Sequence, residues 1–121
     1  MVLIVDDEEN IRNVADATLS KFGYKTITAV DGTDALAMYS KHNQTIAVVL
    51  TDLAMPYMDG HALIRALRKL DPGVKLIAMS GLVTESQSAE LKGLGVNEFL
   101  SKPYTAEALL NALRNVISTN S

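Results

Sequence analysis

Val2-Leu3-Ile4-Val5-Asp6-Asp7 opens the chain with four apolar residues that stop at two acids. A short apolar run without alternation suits a strand buried on both faces, as a helix-covered parallel sheet requires. The pattern returns further along. Ile46 to Leu50 is apolar and leads to Asp52, Val74 to Met79 leads to Ser80-Gly81, and Asn97 to Leu100 leads to Ser101-Lys102-Pro103. Tyr24 to Val30 alternates and carries Thr26, Ile27 and Thr28, which reads as a further strand.

Segments of helical period separate these runs. Glu9 to Phe22 places Ile11, Val14, Ala15, Leu19 and Phe22 on one face, and Gly23 closes it as a left-handed cap. After the turn Asp31-Gly32, a helix from about Thr33 to His42 turns Ala35, Leu36 and Tyr39 inward. A loop with Pro56 and Gly60 precedes a helix that buries Leu63, Ile64, Leu67 and Leu70 and exposes Arg65, Arg68 and Lys69. Asp71-Pro72-Gly73 is a turn. Residues 84–94 form the weakest helix, with only Ala89, Leu91 and Leu94 as an apolar set. The last helix starts at Thr105 as N-cap, has Glu107 in its first turn, and carries Leu109, Leu110, Leu113, Val116 and Ile117; the tail from Ser118 to Ser121 is expected to fray.

Five βα units in succession imply a parallel sheet with helices on both faces. Right-handed crossovers prune the topology. A TIM barrel needs about 250 residues, and this chain has 121. The expected fold is α/β: a three-layer flavodoxin-like (βα)5 sandwich with strand order 2-1-3-4-5, one domain over residues 1–121.

Composition excludes several classes. The chain is 48% hydrophobic and 21% charged, which is globular rather than disordered usage. Eleven basic against 14 acidic residues give a net charge of −3 and no basic stripe, so direct nucleic-acid binding is not expected. There is no cysteine, hence no disulfide framework, thiolate zinc site or cysteine nucleophile. No apolar run approaches the ~20 residues of a membrane span, and the amino terminus lacks the form of a secretory signal. A cytoplasmic domain without membrane contact is the expectation.

In such a sheet, ligands bind beyond the carboxyl ends of the strands, where strand order reverses. The first strand ends in Asp6-Asp7, the third in Asp52, the fourth in Ser80 and the fifth in Lys102. Three carboxylates, a hydroxyl and an ammonium therefore converge on one rim. Close carboxylates raise one another's pKa unless a cation intervenes. A hard divalent ion such as Mg²⁺ suits them, and neither His42 nor His61 lies at this rim to favour zinc. The plainer reading is that Asp6-Asp7 caps the first helix and Asp52 serves a turn. The chemical reading makes Asp52 a nucleophile that forms an aspartyl phosphate, with Ser80 and Lys102 meeting phosphoryl oxygens.

These residues resemble the receiver domain of two-component response regulators. The resemblance rests on Val5-Asp6-Asp7-Glu8, Asp52-Leu53-Ala54-Met55-Pro56 with Met58-Asp59-Gly60, Ser80-Gly81 and Lys102-Pro103, in order across the chain. It implies that Asp52 accepts a phosphoryl group from a histidine kinase or histidine phosphotransfer domain. Asp7 and Asp52 then ligate Mg²⁺ (or Mn²⁺), with Asp6 acting through water and the Ala54 carbonyl completing the protein ligands. Ser80 and Lys102 bind the phosphoryl oxygens, Phe99 is the switch aromatic, and the Lys102–Pro103 bond is cis. Phosphorylation moves Ser80 and Phe99 and alters the face built from the fourth helix, fifth strand and fifth helix; a phosphorylation-dependent dimer is left open. Ala54 and Leu82 are apolar where side chains influence phosphoryl lifetime, so slow to moderate self-dephosphorylation is expected. The segments Ser80-Gly81-Leu82 and Lys102 to Leu109 resemble receivers fused to bacterial hybrid histidine kinases, with a stand-alone regulator as the alternative. Alone, such a domain is no enzyme in the ordinary sense, though it can form part of a kinase.

Three rivals fare worse. An aspartyl phosphatase of the haloacid-dehalogenase type wants a second acid two residues after the nucleophile, where Ala54 stands. A flavodoxin needs a phosphate-cradling first loop, where four acids stand at Asp6, Asp7, Glu8 and Glu9. A pseudo-receiver would lack the acceptor, metal and lysine positions that are intact here.

Overall fold

Strands and helices alternate without exception along the described residues, which are 1–55, 58–81 and 85–118 of the computed structural model. The strands are β1 (Val2–Val5), β2 (Thr26–Ala29), β3 (Val48–Asp52), β4 (Lys75–Ser80) and β5 (Glu98–Ser101). The helices are α1 (Glu9–Lys21), α2 (Gly32–His42), α3 (Gly60–Leu70), α4 (Glu85–Gly93) and α5 (Ala106–Ser118). All strands pair in parallel in the order β2-β1-β3-β4-β5, the flavodoxin-like (βα)5 arrangement expected from the sequence.

The strand pleat divides the core in two. Leu3 and Val5 pack with Val49, Leu76 and Ala78 under α2, α3 and α4, where Ala35, Tyr39, Leu63, Ile64, Leu67 and Leu91 close the layer. Val2 and Ile4 pack with Val48, Leu50, Ile77 and Met79 under α1 and α5, against Ala15, Leu19, Leu109 and Leu113. Every residue of β1 and β3 is buried, which explains the apolar runs Val2–Val5 and Val48–Leu50. Burying one such Leu or Ile stabilises by roughly 1.5–3 kcal/mol. That exceeds a helix cap at about 1 kcal/mol, so layer packing decides the fold and caps decide boundaries.

Those caps are visible. Asp31 accepts from the Asp34 N–H at 2.8 Å, Asp59 from Ala62 at 2.9 Å and Thr105 from Ala108 at 3.0 Å. Gly23 ends α1 with φ +90°, as its sequence position predicts.

Several expected faces and boundaries differ from the structure. Val14 and Phe22 were expected inward but are 62% and 57% exposed. The sheet-facing stripe of α1 narrows to Ala15 and Leu19; Val14 sits one residue, about 100° of helical turn, away from Ala15. Phe22 lies past the last turn. Leu70 is exposed at the end of α3, Ile117 is partly exposed on α5, and Ala89 is exposed on α4. Arg68, expected in solvent, is half-buried and bonded to backbone carbonyls. The third strand runs two residues later than Ile46–Leu50, because its partner β1 sets the register Val2↔Val48 through Val5↔Thr51. Ser118, expected to fray with the tail, is instead the last residue of α5, its hydroxyl donating to the Arg114 carbonyl at 2.7 Å. Residues 56, 57, 82–84 and 119–121, including Pro56, Leu82 and the rest of the tail, lie outside the described residues.

Candidate functional site

Register builds the rim. Val5 pairs with Thr51, so Asp6 and Asp52 leave adjacent strands side by side. Asp52 pairs with Met79, and Ser80 pairs with Ser101, which brings the residues just beyond those strands to the same edge. Parallel pairing of four consecutive strand ends thus gathers Asp6, Asp52, Ser80 and Lys102 from distant parts of the chain.

One carboxylate oxygen each from Asp6, Asp7 and Asp52 lies within 4.8 Å of the others. Asp6 and Asp52 are buried, at 0% and 4% exposure, while Asp7 is exposed. The Lys102 ammonium bridges the two buried acids, at 3.0 Å from Asp6 Oδ2 and 3.3 Å from Asp52 Oδ1. Asp6 Oδ1 accepts the Glu8 N–H at 2.9 Å, so the helix-start role and the rim role fall on one residue. The N-cap position itself is Glu8, whose side chain makes no capping bond. Ala54, exposed, donates its N–H to Asp52 Oδ1 at 3.4 Å.

The electrostatics follow from this crowding. Burial raises the Asp52 pKa, the neighbouring Asp6 charge adds to the rise, and Lys102 opposes it. Burial works against the Lys102 charge, but its hydrogen bond to Asp6 and the charges of Asp52 and Asp6 prevail and raise its pKa. Tyr104, half-buried next to the site, is pushed up by burial and then by Asp6. Three acids around one ammonium leave the rim net negative.

That donor set tests the cation. It offers hard carboxylate oxygens, one exposed at the mouth, with no imidazole or thiolate among the described neighbours. Such a set fits Mg²⁺, which takes one or two carboxylates and keeps waters for the remaining positions.

Ser80 ends β4, and its carbonyl accepts the Lys102 N–H at 2.8 Å, which fixes the lysine backbone. The Lys102–Pro103 peptide bond is cis. Phe99 is partly buried against the α2–α3–α4 layer. Leu82, singled out for its influence on phosphoryl lifetime, lies outside the described residues.

Two contacts of the site escaped sequence reasoning. Arg12 Nη1 donates to the Asp6 carbonyl at 2.8 Å, tying α1 to the end of β1. Gly60 N–H donates to the Leu53 carbonyl at 2.9 Å, and a Cβ there would lie 2.5 Å from the Asp52 carbonyl oxygen. The glycine is legible as a residue type; its approach to Asp52 is not.

The family profile of the response regulator receiver domain matches residues 2–114. The chain belongs to that family, and it is a receiver domain of two-component signalling. It is 34% identical over 116 residues to a probable transcriptional regulator ycf27 of Guillardia theta, covering 96% of this chain and 44% of that protein. It is 34% identical over 113 residues to the sensor histidine kinase RcsC of Salmonella typhi, covering 93% of this chain and 12% of the kinase. Protein PilG of Pseudomonas aeruginosa is 34% identical over 118 residues, covering 93% of this chain and 84% of PilG. The chain therefore spans less than half the length of the first curated relatives it matches. Among solved structures, the CheX-CheY-BeF3-Mg²⁺ complex of Borrelia burgdorferi superposes with a TM-score of 0.94 at 28% identity, covering 98% of this chain and 89% of that one.

Proposed function

We propose that Asp52 accepts a phosphoryl group from a phosphohistidine, borne by a histidine kinase or a histidine phosphotransfer domain, in a Mg²⁺-dependent step. The observation that carries this reading is the Lys102 ammonium bridging two buried carboxylates, at 3.0 and 3.3 Å, on the rim where Asp7 adds a third.

In the step, a carboxylate oxygen of Asp52 bonds to phosphorus and the P–N bond to imidazole breaks. The electron pair stays on the imidazole nitrogen, which takes up a proton, and a mixed anhydride forms on Asp52. Lys102 already contacts the acceptor carboxylate and stays beside it as negative charge spreads over the phosphoryl oxygens. The Ser80 hydroxyl donates to one of those oxygens. A hard divalent cation held by Asp7, Asp52 and the Ala54 carbonyl, with Asp6 acting through water, would neutralise the carboxylates and polarise the phosphoryl group; Mn²⁺ would take the same oxygen set. Ala54 presents no side chain able to orient an attacking water, which supports slow to moderate hydrolysis of the acyl phosphate. The added charge draws Ser80 toward it, Phe99 turns further inward, and the α4–β5–α5 face changes.

The host protein we infer is a hybrid sensor histidine kinase, supported by the likeness to RcsC. The second reading, a stand-alone regulator, is favoured by the 84% of PilG that the match covers.

Incubation with Mg²⁺ and acetyl phosphate tests the acceptor. The intact mass of the wild type should rise by one phosphoryl group, and that of Asp52→Asn or of a chelator-treated sample should not. An unchanged wild-type mass, or multiple turnover of phosphate esters, contradicts the reading.

A further inference from the structure

The half-buried Arg68 plays no part in the phosphoacceptor rim. It projects from the last turn of α3 at the opposite edge of the sheet and spends its guanidinium on four backbone carbonyls. Nε donates to Leu94 O at 2.9 Å and Nη2 to Gly95 O at 2.7 Å. Nη1 donates to Pro72 O at 2.8 Å and to Val74 O at 2.6 Å. One planar fork thus clamps the turn after α4 to the turn before β4. Only a guanidinium has that donor geometry, and bonds from an ionised donor are roughly twice as strong as neutral ones.

Gly95 is cut to fit this clamp. Its φ is +83°, and a Cβ there would lie 3.0 Å from Arg68 Nη2. The same end of α4 is held from beneath. Leu91 is the buried residue of the helix, Val96 N–H returns to the Leu91 carbonyl at 3.1 Å, and Asn97 exchanges hydrogen bonds with Leu76 at 2.9 Å in both directions. The other end of α4 follows Ser80, at the rim where phosphoryl charge would arrive.

We propose that Arg68 is the pin of a hinge at Leu94–Gly95, so that α4 answers phosphorylation by swinging about its C-terminal end rather than by sliding along the sheet. This rests on the phosphoacceptor reading above. Arg68 is a positioning residue: it fixes where the motion stops.

Amide resonances of the intact protein, followed in Mg²⁺ with and without beryllofluoride, test it. In the wild type, the beryllofluoride-induced shift changes should be large for residues 85–90 and several-fold smaller for 94–96. In Arg68→Met the changes at 94–96 should grow to match, and hydrogen exchange there should quicken about tenfold, while phosphoryl gain at Asp52 stays at the wild-type level. Equal shift changes along the whole of α4 in the wild type overturn the hinge, as does an Arg68→Met variant with unaltered exchange at 94–96. If Arg68→Met does not fold, Arg68→Lys, which keeps the charge but not the fork, and the wild-type comparison decide it. A wild type that gains no phosphoryl group overturns the acceptor reading itself, and the hinge with it; that failure is read in the mass, not in the resonances.

Discussion

Asp52 is held in an unfavourable place. It is 4% exposed, burial and Asp6 raise its pKa above the ordinary 3.8, and Lys102 only partly offsets them. A carboxyl whose folded pKa is raised contributes most to stability below its unfolded pKa, and that contribution is lost as pH rises through the folded value. The Asp52→Asn variant escapes the loss and leaves Lys102 its partner Asp6. In chelator at pH 7 it should therefore be more stable than the wild type by about 1 kcal/mol. The gap should close as pH falls below the ordinary carboxylate value, because native Asp52 is then neutral too. Mg²⁺ should narrow or reverse the gap, since it binds the native carboxylates. Urea midpoints across pH 3.5 to 8 measure all three, and a less stable Asp52→Asn variant at pH 7 in chelator contradicts the account. At this scale the sequence reads well, for a simple reason. Asp6, Asp7, Asp52 and Lys102 stand at or just beyond the carboxyl ends of strands, so topology alone assigns them to one rim. Arg12 and Arg68 could not be read, because a long side chain can reach many carbonyls and only the finished fold says which.

Elements were legible in kind and order but less so in their faces. Ten apolar or periodic segments became ten elements in sequence order. The error at α1 arose because a helix on the outside of a sheet needs only a narrow stripe, here Ala15 and Leu19, while Val14 and Phe22 extend the pattern without entering the core. The start of α3 shows the reverse, a demand the pattern does not display. Gly60 packs where a Cβ would meet the Asp52 carbonyl oxygen and Leu53 Cα at 2.5 Å each, both backbone atoms that cannot step aside. Gly60→Ala should cost about 3 kcal/mol and should lower the rate of phosphoryl gain, because the strain falls on the acceptor's own backbone. Gly93→Ala, with open space around its Cβ, should be neutral or stabilising by up to ~1 kcal/mol. Thermal unfolding of the pair, with intact mass after acetyl phosphate, checks both; equal stability of the two variants would contradict the packing argument.

Across the whole molecule, two separate cores hold one sheet between helix layers, and neither core includes the carboxylates and ammonium of the rim. This separation lets a net charge of −3 be distributed so that three acids crowd one edge without costing the fold its packing. Strand order was legible because five βα units with right-handed crossovers leave few arrangements. The anchoring of α4 was not, because its composition records a weak helix over 84–94, close to the observed Glu85–Gly93, but says nothing of the Arg68 clamp beyond its C-terminal end. The central claim is that a single side chain, Asp52, becomes an acyl phosphate. Borohydride reduces an acyl phosphate to the alcohol, so the label leaves a permanent mark on the residue that bore it. Peptide mass spectrometry after phosphorylation in Mg²⁺ and borohydride reduction should find homoserine at position 52 and aspartate at positions 6, 7 and 59. Homoserine at another position, or unmodified aspartate at 52 in a protein that had gained a phosphoryl group, would contradict it.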